Sequence, residues 1–223
     1  MELITFAVKH DWAVLLPIIF CSVLVLSVAV ERFVFYRRNR RDVVQFINRL
    51  ERDLQRNNLN SALNLSCELG GLLGEVSEEG IRTLAEQKSS FERLFDITAN
   101  LATRKLERNL SILGTIATIS PYLGLFGTVV RILLTFGEMA KGGGGGGAPM
   151  IMFGIGSALI ATAFGLGVAI LAVGLNNYFH TIVGRWEEDF QLLKLLFLSV
   201  ADRRPAVAAT PAAAQPYRRP AEI

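Results

Sequence analysis

The chain alternates between long apolar runs and segments rich in charge. Three apolar runs cover residues 12–30, 110–136 and 150–175, and Arg131 is the only charged residue within them. A helix of 19 residues, the length of the first run, is about 28 Å long, which is close to the thickness of a bilayer's hydrocarbon core. The pattern therefore predicts an all-α membrane protein with three transmembrane helices.

The first run is interpreted as a retained membrane helix and not as a signal peptide. The acidic residues Glu2 and Asp11 precede it, where a signal peptide carries basic residues. Glu31 and Arg32 follow it, where a signal peptide has a small-residue cleavage site. Residues 1–11 are then expected to form a short segment outside the membrane.

Basic residues cluster on one side of the predicted spans. They are Arg32, Arg37, Arg38, Arg40, Arg41, Arg104, Lys105, Arg108 and Arg185. The other side has little beyond Lys9 and Lys141. The positive-inside rule predicts a periplasmic N-terminus, a cytoplasmic helical region over residues 31–109, a periplasmic glycine-rich hairpin over residues 137–149 and a cytoplasmic C-terminus.

Helical periodicity continues outside the spans. Residues 43–54 carry an amphipathic pattern that Asn57 and Asn58 interrupt, and a second short helix over residues 59–69 is expected to stop at the glycines at 70–71.

A capping box formed by Ser89 and Glu92 opens a further helix, and no breaker follows before Pro121, so the second membrane helix is expected to begin deep in the cytoplasm. Residues 176–202 continue the third run as a cytoplasmic helix, so the protruding helices are expected to form a bundle. The Ala- and Pro-rich residues 203–223 are expected to be a disordered cytoplasmic tail.

Composition argues against a soluble enzyme. Charged residues make up 19% of the chain, against about 25% in soluble domains. The net charge of +3 and the absence of a basic stripe speak against nucleic-acid binding. His10 and His180 flank different runs, and Cys21 and Cys67 are expected to be free thiols. No catalytic residue, cofactor site or dedicated metal site is predicted.

Small residues in the third run recur at helix-packing spacing. The candidate packing residues are Gly154, Ala158, Ala161, Gly165 and Gly167. All but Gly167 fall into two ladders with a spacing of four residues, one formed by Ser157, Ala161, Gly165 and Ala169 and the other begun by Gly154, Ala158 and Thr162. Such ladders let helices approach closely in lipid. Two ladders on one helix suggest more than one neighbour, so a homo-oligomer in the lipid bilayer is expected.

Two hydroxyl groups lie in otherwise apolar spans, at Thr128 and Thr162. Thr128 shares one side of its predicted helix with Pro121 and Gly124. A hydroxyl is both donor and acceptor and carries no charge, so it suits a water chain or a cation. The alternative is a hydrogen bond to the same helix, at the carbonyl four residues earlier.

Residues in both spans carry a resemblance to a known family. In the second run they are Pro121, Gly124, Leu125, Gly127, Thr128 and Val129, and in the third they are Gly154, Ile155, residues 158–163, Gly165 and Leu166, with Asn177 at the inner end. Over residues 115–180 the chain resembles the MotA/TolQ/ExbB proton-channel family, closest to the ExbB and TolQ branch.

The resemblance implies a homo-oligomeric ring, a pentamer, around a dimer of an ExbD/TolR-like single-span partner with an essential membrane aspartate. Proton (H+) flow through the complex would drive rotation and work on the periplasm or outer membrane, from the inner membrane of a bacterium. Thr128 and Thr162 would be lumen hydroxyls that face the partner's aspartate, and Pro121 and Gly127 would shape the partner-facing helix.

Two positions depart from the family pattern. Ser157 stands where ExbB and TolQ usually carry glutamate, and Arg131 stands where they usually carry a small residue. The first departure leaves Na+, with Thr128, Thr162 and Ser157 as oxygen ligands, as an alternative to H+. Arg131 is expected either to snorkel to the outer interface or to pair with an acid on the partner.

No carboxylate lies inside the apolar runs, so an ion-driven motor subunit would depend on its partner. A non-conducting oligomeric scaffold is the rival hypothesis, and it predicts that Thr128 and Thr162 tolerate valine. A secondary transporter is a weaker reading, because three helices show no inverted repeat.

Overall fold

The computed structural model describes residues 12–39, 42–86, 90–141 and 147–203. Within these ranges the chain is all-helical, as predicted, and has no strand. The helices are α1 (Trp12–Asn39), α2 (Val43–Gln55), α3 (Leu59–Leu69), α4 (Gly71–Ala85), α5 (Phe91–Glu107), α6 (Leu110–Lys141) and α7 (Gly147–Arg203).

Three helices, α1, α6 and α7, are long and apolar enough to cross a membrane. Only 22%, 28% and 33% of their most apolar windows are buried within the chain. Large side chains such as Phe20, Phe126 and Ile170 are more than half exposed. Because so much apolar surface is uncovered, it must face lipid or further protein chains. The structure thus contains three candidate membrane-spanning helices, at the positions that the pattern predicts.

The third membrane helix continues far beyond its apolar run. Helix α7 has 57 residues, and its extension buries the predicted stripe, which includes Phe179, Val183, Trp186, Phe190 and Leu193. Phe197 lies against Phe91 and Phe95, with ring centroids about 6 Å apart. A bundle of α2 to α5 therefore packs around the end of α7, as the periodicity predicted.

The short helices follow their local signals. Helix α2 is capped by Asp42, and Asn57 has a positive φ of 57° between α2 and α3. Helix α3 ends at Leu69, as predicted, but the glycine pair does not open a loop. Gly70, at φ 60°, separates α3 from α4, a helix that the sequence analysis did not identify.

The expected continuous helix from Ser89 to the second span is wrong. Helix α5 ends at Glu107, and α6 begins at Leu110 after Asn109, which has a φ of 65°. The carbonyls at the end of α5 are bound by α1. Arg32 donates to the Lys105 carbonyl at 3.2 Å, and the Tyr36 hydroxyl donates to the Leu106 carbonyl at 2.8 Å.

This capping explains the break. The last carbonyls of a helix lack partners within it, and Asn tolerates the left-handed conformation better than most residues do. Donors from a distant helix satisfy the carbonyls, so the chain can turn without glycine or proline.

The glycine-rich connection predicted over residues 137–149 is shorter than expected, because α6 continues to Lys141 and α7 begins at Gly147. Pro149 fits the first turn of α7, where its missing N–H is not needed. Residues 142–146, the N-terminal residues 1–11, Ser89 of the capping box and the tail over residues 204–223 lie outside the described residues.

Candidate functional site at the crossing of α6 and α7

The two hydroxyl-bearing spans cross with their backbones in contact. A Cβ added at Gly165 would lie 2.8 Å from the Ser120 carbonyl oxygen and 2.9 Å from the Gly124 Cα. A Cβ added at Gly124 would lie 3.0 Å from the Thr162 Cα. The Ser120 hydroxyl, which is fully buried, donates to the Gly165 carbonyl at 2.9 Å. Glycine is therefore required on both helices at this crossing.

Thr162 joins the two helices. Its hydroxyl donates to the Gly124 carbonyl of α6 at 2.9 Å, and not to a carbonyl of its own helix. The side chain is half-buried. In an α-helix the carbonyl of residue 124 also accepts the backbone N–H of residue 128, so one oxygen links the positions of both predicted threonines.

Thr128 differs from Thr162 in its partner. Its hydroxyl donates to the Leu125 carbonyl of the same helix at 2.6 Å, three residues earlier. The side chain is half-buried. The alternative of a local bond therefore applies to Thr128, although to the third and not the fourth preceding residue.

The hydrogen bonds decide what the two hydroxyls can offer to a ligand. Thr128 and Thr162 both use their only proton within the chain. A hydroxyl oxygen also has two acceptor lone pairs. Both groups can therefore accept a hydrogen bond from water or from a protonated carboxyl, or supply oxygen to a cation.

Arg131 neither snorkels outward nor remains at the surface. It is 5% exposed, and its Nε donates to the Ser157 hydroxyl of α7 at 3.1 Å. Ser157, 1% exposed, donates in turn to the Gly154 carbonyl at 3.0 Å. The expectation of an outward-facing arginine is wrong, because a buried hydroxyl on the adjacent helix receives the guanidinium.

The crossing contains two further buried hydroxyls that the sequence analysis did not select, those of Ser120 and Thr135. Besides Ser120, Thr135 is 3% exposed and donates to the Arg131 carbonyl at 2.9 Å. A Cβ on Gly154 would collide with the Thr135 side chain. The signal was present, because Ser120 and Thr135 are hydroxyl residues in an apolar run, as Thr128 is.

The other residues selected from the sequence differ in how closely they pack within the chain. Gly127, Ala158 and Ala161 are buried, and Pro121 is half-buried. Gly167 has no atom within 4 Å of an added Cβ, so it makes no close packing contact within the chain.

Both ladders of α7 already face α6 of the same chain, through Gly154 in one and Gly165 in the other. They therefore do not require a second neighbour, and the ring remains a prediction that the structure does not test.

The geometry just described lies within a segment that matches known proteins. A model of the "MotA/TolQ/ExbB proton channel family" matches residues 69–191, more than half of the chain. That segment includes α4 and α5 and the whole crossing of α6 and α7.

Individual proteins with similar sequences carry TolQ or ExbB names. The chain is 39% identical over 98 residues to the "Tol-Pal system protein TolQ" of Haemophilus influenzae, covering 44% of this chain and 42% of that protein. It is 31% identical over 163 residues to the "Putative biopolymer transport protein ExbB-like 1" of Synechocystis, covering 72% and 64%. It is 49% identical over 89 residues to the "Biopolymer transport protein ExbB" of Helicobacter pylori, covering 40% and 61%. The matched region thus spans between about two fifths and two thirds of these relatives.

Proposed function

Because the chain belongs to the MotA/TolQ/ExbB proton channel family, we propose that it is a ring subunit of an ion-driven motor in a bacterial inner membrane. The resemblance to the ExbB and TolQ branch is confirmed by the names of its relatives. We propose that a homo-pentamer encloses a dimer of an ExbD/TolR-like single-span protein and converts proton motive force into mechanical work on the periplasm or outer membrane.

One observation carries the proposal. The family match includes both spans, and within them the Thr162 hydroxyl of α7 donates to the Gly124 carbonyl of α6, about one turn before Thr128 on that helix. Both hydroxyl oxygens are available as acceptors, and the apolar runs contain no carboxylate. An ion path along this crossing therefore needs an acid from a partner, which is the division of labour proposed here.

Protons are favoured over sodium by the environment of Ser157. A sodium ion is held by several oxygen ligands, and a neighbouring positive charge opposes it. The guanidinium of Arg131 donates to the Ser157 hydroxyl, so Ser157 is a poor ligand for a cation. Thr128 and Thr162 alone offer too few side-chain oxygens for a sodium site. Proton transfer through water and the partner's acid has no such requirement.

Ion flux in proteoliposomes tests the function. The chain is co-reconstituted with the ExbD-like protein encoded next to it, and a pH dye and a sodium dye are read in parallel. Proton flux is expected in the unmodified complex and is expected to fall at least tenfold in Thr128→Val/Thr162→Val. Thr118→Val is the matched control, because the Thr118 hydroxyl is exposed on α6 and bonds only its own helix at Gly114.

The outcomes separate the hypotheses. Sodium flux without proton flux would retain the motor and overturn the choice of ion. No flux of either ion from an intact complex, under an imposed membrane potential, would favour the non-conducting scaffold. Equal loss in Thr118→Val would show that the effect is general and not a property of the crossing.

A further inference from the structure

A cleft of about 580 Å³ lies where α1 ends, between α1, the first turn of α2 and the extension of α7. Its lining combines apolar rings with charged groups. Those that matter here are Phe33, Arg37, Tyr178, Arg185, Trp186 and Asp189. The cleft is separate from the crossing of α6 and α7, because none of the hydroxyl residues of that crossing lines it.

Two arginines from different helices line this cleft. Arg37 of α1 and Arg185 of α7 are both exposed. Neither has a hydrogen bond or an ion pair within the described ranges, whereas Arg32 binds two backbone carbonyls and Arg82 pairs with Glu78. A guanidinium is a planar donor that suits phosphate oxygens. Two of them in one cleft therefore favour a phosphate group as ligand.

The depth of the cleft indicates where such a phosphate comes from. Arg32 is 3% exposed and is turned inward, whereas Phe33 and Val34 are 50% and 57% exposed, so apolar surface continues on α1 past the exposed Glu31. By helical rise, Arg37 lies only about 4.5 Å beyond Val34. That distance places its guanidinium in the headgroup layer next to the hydrocarbon core.

The aromatic lining agrees with this depth. Tyr178 is 53% exposed, and Trp186 lies two turns further along α7. Tyr and Trp are enriched where a membrane meets water. Basic pockets between membrane helices at this level are suited to anionic lipid headgroups.

We propose that this cleft binds the phosphodiester headgroup of an anionic phospholipid such as phosphatidylglycerol. Arg37 and Arg185 hold the phosphate oxygens, and Phe33 and Tyr178 contact the start of the acyl chains. This site is separate from the proposed ion path, and its occupancy does not require ion conduction.

Asp189 is expected to lower the affinity of the cleft for an anionic lipid. Its carboxylate lines the same cleft and repels an anion. Burial raises the pKa of the Asp189 carboxyl, and the neighbouring Glu188 carboxylate raises it further. Asp189→Asn removes this carboxylate from the cleft and is therefore expected to strengthen lipid binding.

Native mass spectrometry of the full-length complex tests the proposal, because it reports bound lipid and oligomeric mass together. The complex is titrated in detergent with phosphatidylglycerol and, separately, with phosphatidylcholine. We expect phosphatidylglycerol to bind more tightly. Arg37→Gln/Arg185→Gln is expected to weaken its binding about tenfold or more, the effect of losing one charge-assisted hydrogen bond. The matched control is Arg38→Gln, which removes an exposed charge one residue away and outside the cleft.

Four results would overturn the proposal. Equal affinity for the two lipids would exclude a headgroup site. An equal loss in Arg38→Gln would indicate diffuse attraction to the membrane. Displacement of the lipid by millimolar inorganic phosphate would indicate a site for soluble phosphate. A change in oligomeric mass without a change in lipid count would indicate that a second copy of the chain covers the cleft. A gain in affinity in Asp189→Asn cannot result from misfolding, so it keeps the test informative if the double variant is unstable.

Discussion

The Nε atom of Arg131 donates a hydrogen bond to the hydroxyl of Ser157, 3.1 Å away, between two membrane helices. These are the two positions at which the chain departs from the ExbB and TolQ pattern, and they lie 26 residues apart in sequence. In the structure, therefore, these two departures from the pattern lie in direct contact with each other. Where the resemblance implies an acid on the third span, this chain has a serine, and a guanidinium from the second span donates to it.

The first prediction concerns the charge balance of this contact. Ser157→Asp is expected to be tolerated in the presence of Arg131, because its carboxylate would meet the guanidinium. The same substitution combined with Arg131→Leu is expected to be strongly destabilising, because the carboxylate loses its counterion. A double-mutant cycle on thermal unfolding in detergent should give a coupling energy of about 1–3 kcal/mol.

Ser157→Asn is the matched control for that cycle, since it has the size of aspartate without its charge. Equal coupling to Arg131 for the Asn and Asp variants would show that shape and not charge governs the contact.

The second prediction concerns the backbone contact at Gly165. Gly165→Ala should destabilise the chain by about 1–3 kcal/mol, because its Cβ would lie 2.8 Å from the Ser120 carbonyl oxygen. Gly167→Ala, on the same helix, meets nothing within 4 Å and should be neutral or slightly stabilising through helix propensity. Thermal unfolding of the monomeric chain in detergent measures both. Similar losses at the two positions would contradict the close crossing.

The third prediction separates the two roles of Thr162. Thr162→Val removes the hydrogen bond to the Gly124 carbonyl, and the expected loss of stability is about 0.6 kcal/mol, the average for such bonds between membrane helices. Thr162→Ser keeps the hydroxyl and should retain both stability and ion flux. If the valine variant loses stability but conducts normally, Thr162 is a packing residue only.

The fourth prediction concerns the junction between α5 and α6. Arg32→Gln and Tyr36→Phe each remove donors from the carbonyls at the end of α5. Each should destabilise this junction by about 1–3 kcal/mol, the cost of a buried acceptor without a partner.

Hydrogen exchange measures this effect locally. Amides of residues 104–112 should exchange faster in both variants, whereas Arg38→Gln, which removes an exposed charge from the same helix, should leave them unchanged. Faster exchange confined to α1 would contradict a capping role.

The same junction shows where sequence reasoning fails. No proline lies between Ser89 and Pro121, and the single glycine there, Gly114, lies inside α6 and not at the junction, so periodicity predicts one helix. The break depends on donors from Arg32 and Tyr36, 73 and 70 residues earlier in the chain than the carbonyls they bind. Arg32 was counted among the basic residues that set orientation, and its inward direction has no local signal.

The candidate site, too, was predictable from the sequence only in part. The small residues and the threonines were identifiable because glycine ladders and hydroxyls are rare and conspicuous in apolar runs. The partner of each hydroxyl was not identifiable, since Thr128 and Thr162 occur in similar sequence surroundings, but Thr128 bonds to its own helix and Thr162 to the neighbouring one.

By itself, the sequence determined the three membrane helices, the long extension of α7, the short helices α2 and α3, and the family. Each of these depends on periodicity, composition or a local motif, which a single segment carries. Only the tertiary structure decided the break before α6, the inward turn of Arg131 toward Ser157, and the cleft between α1 and α7. Each of these depends on groups far apart in the chain, and their proximity is set by how whole helices pack.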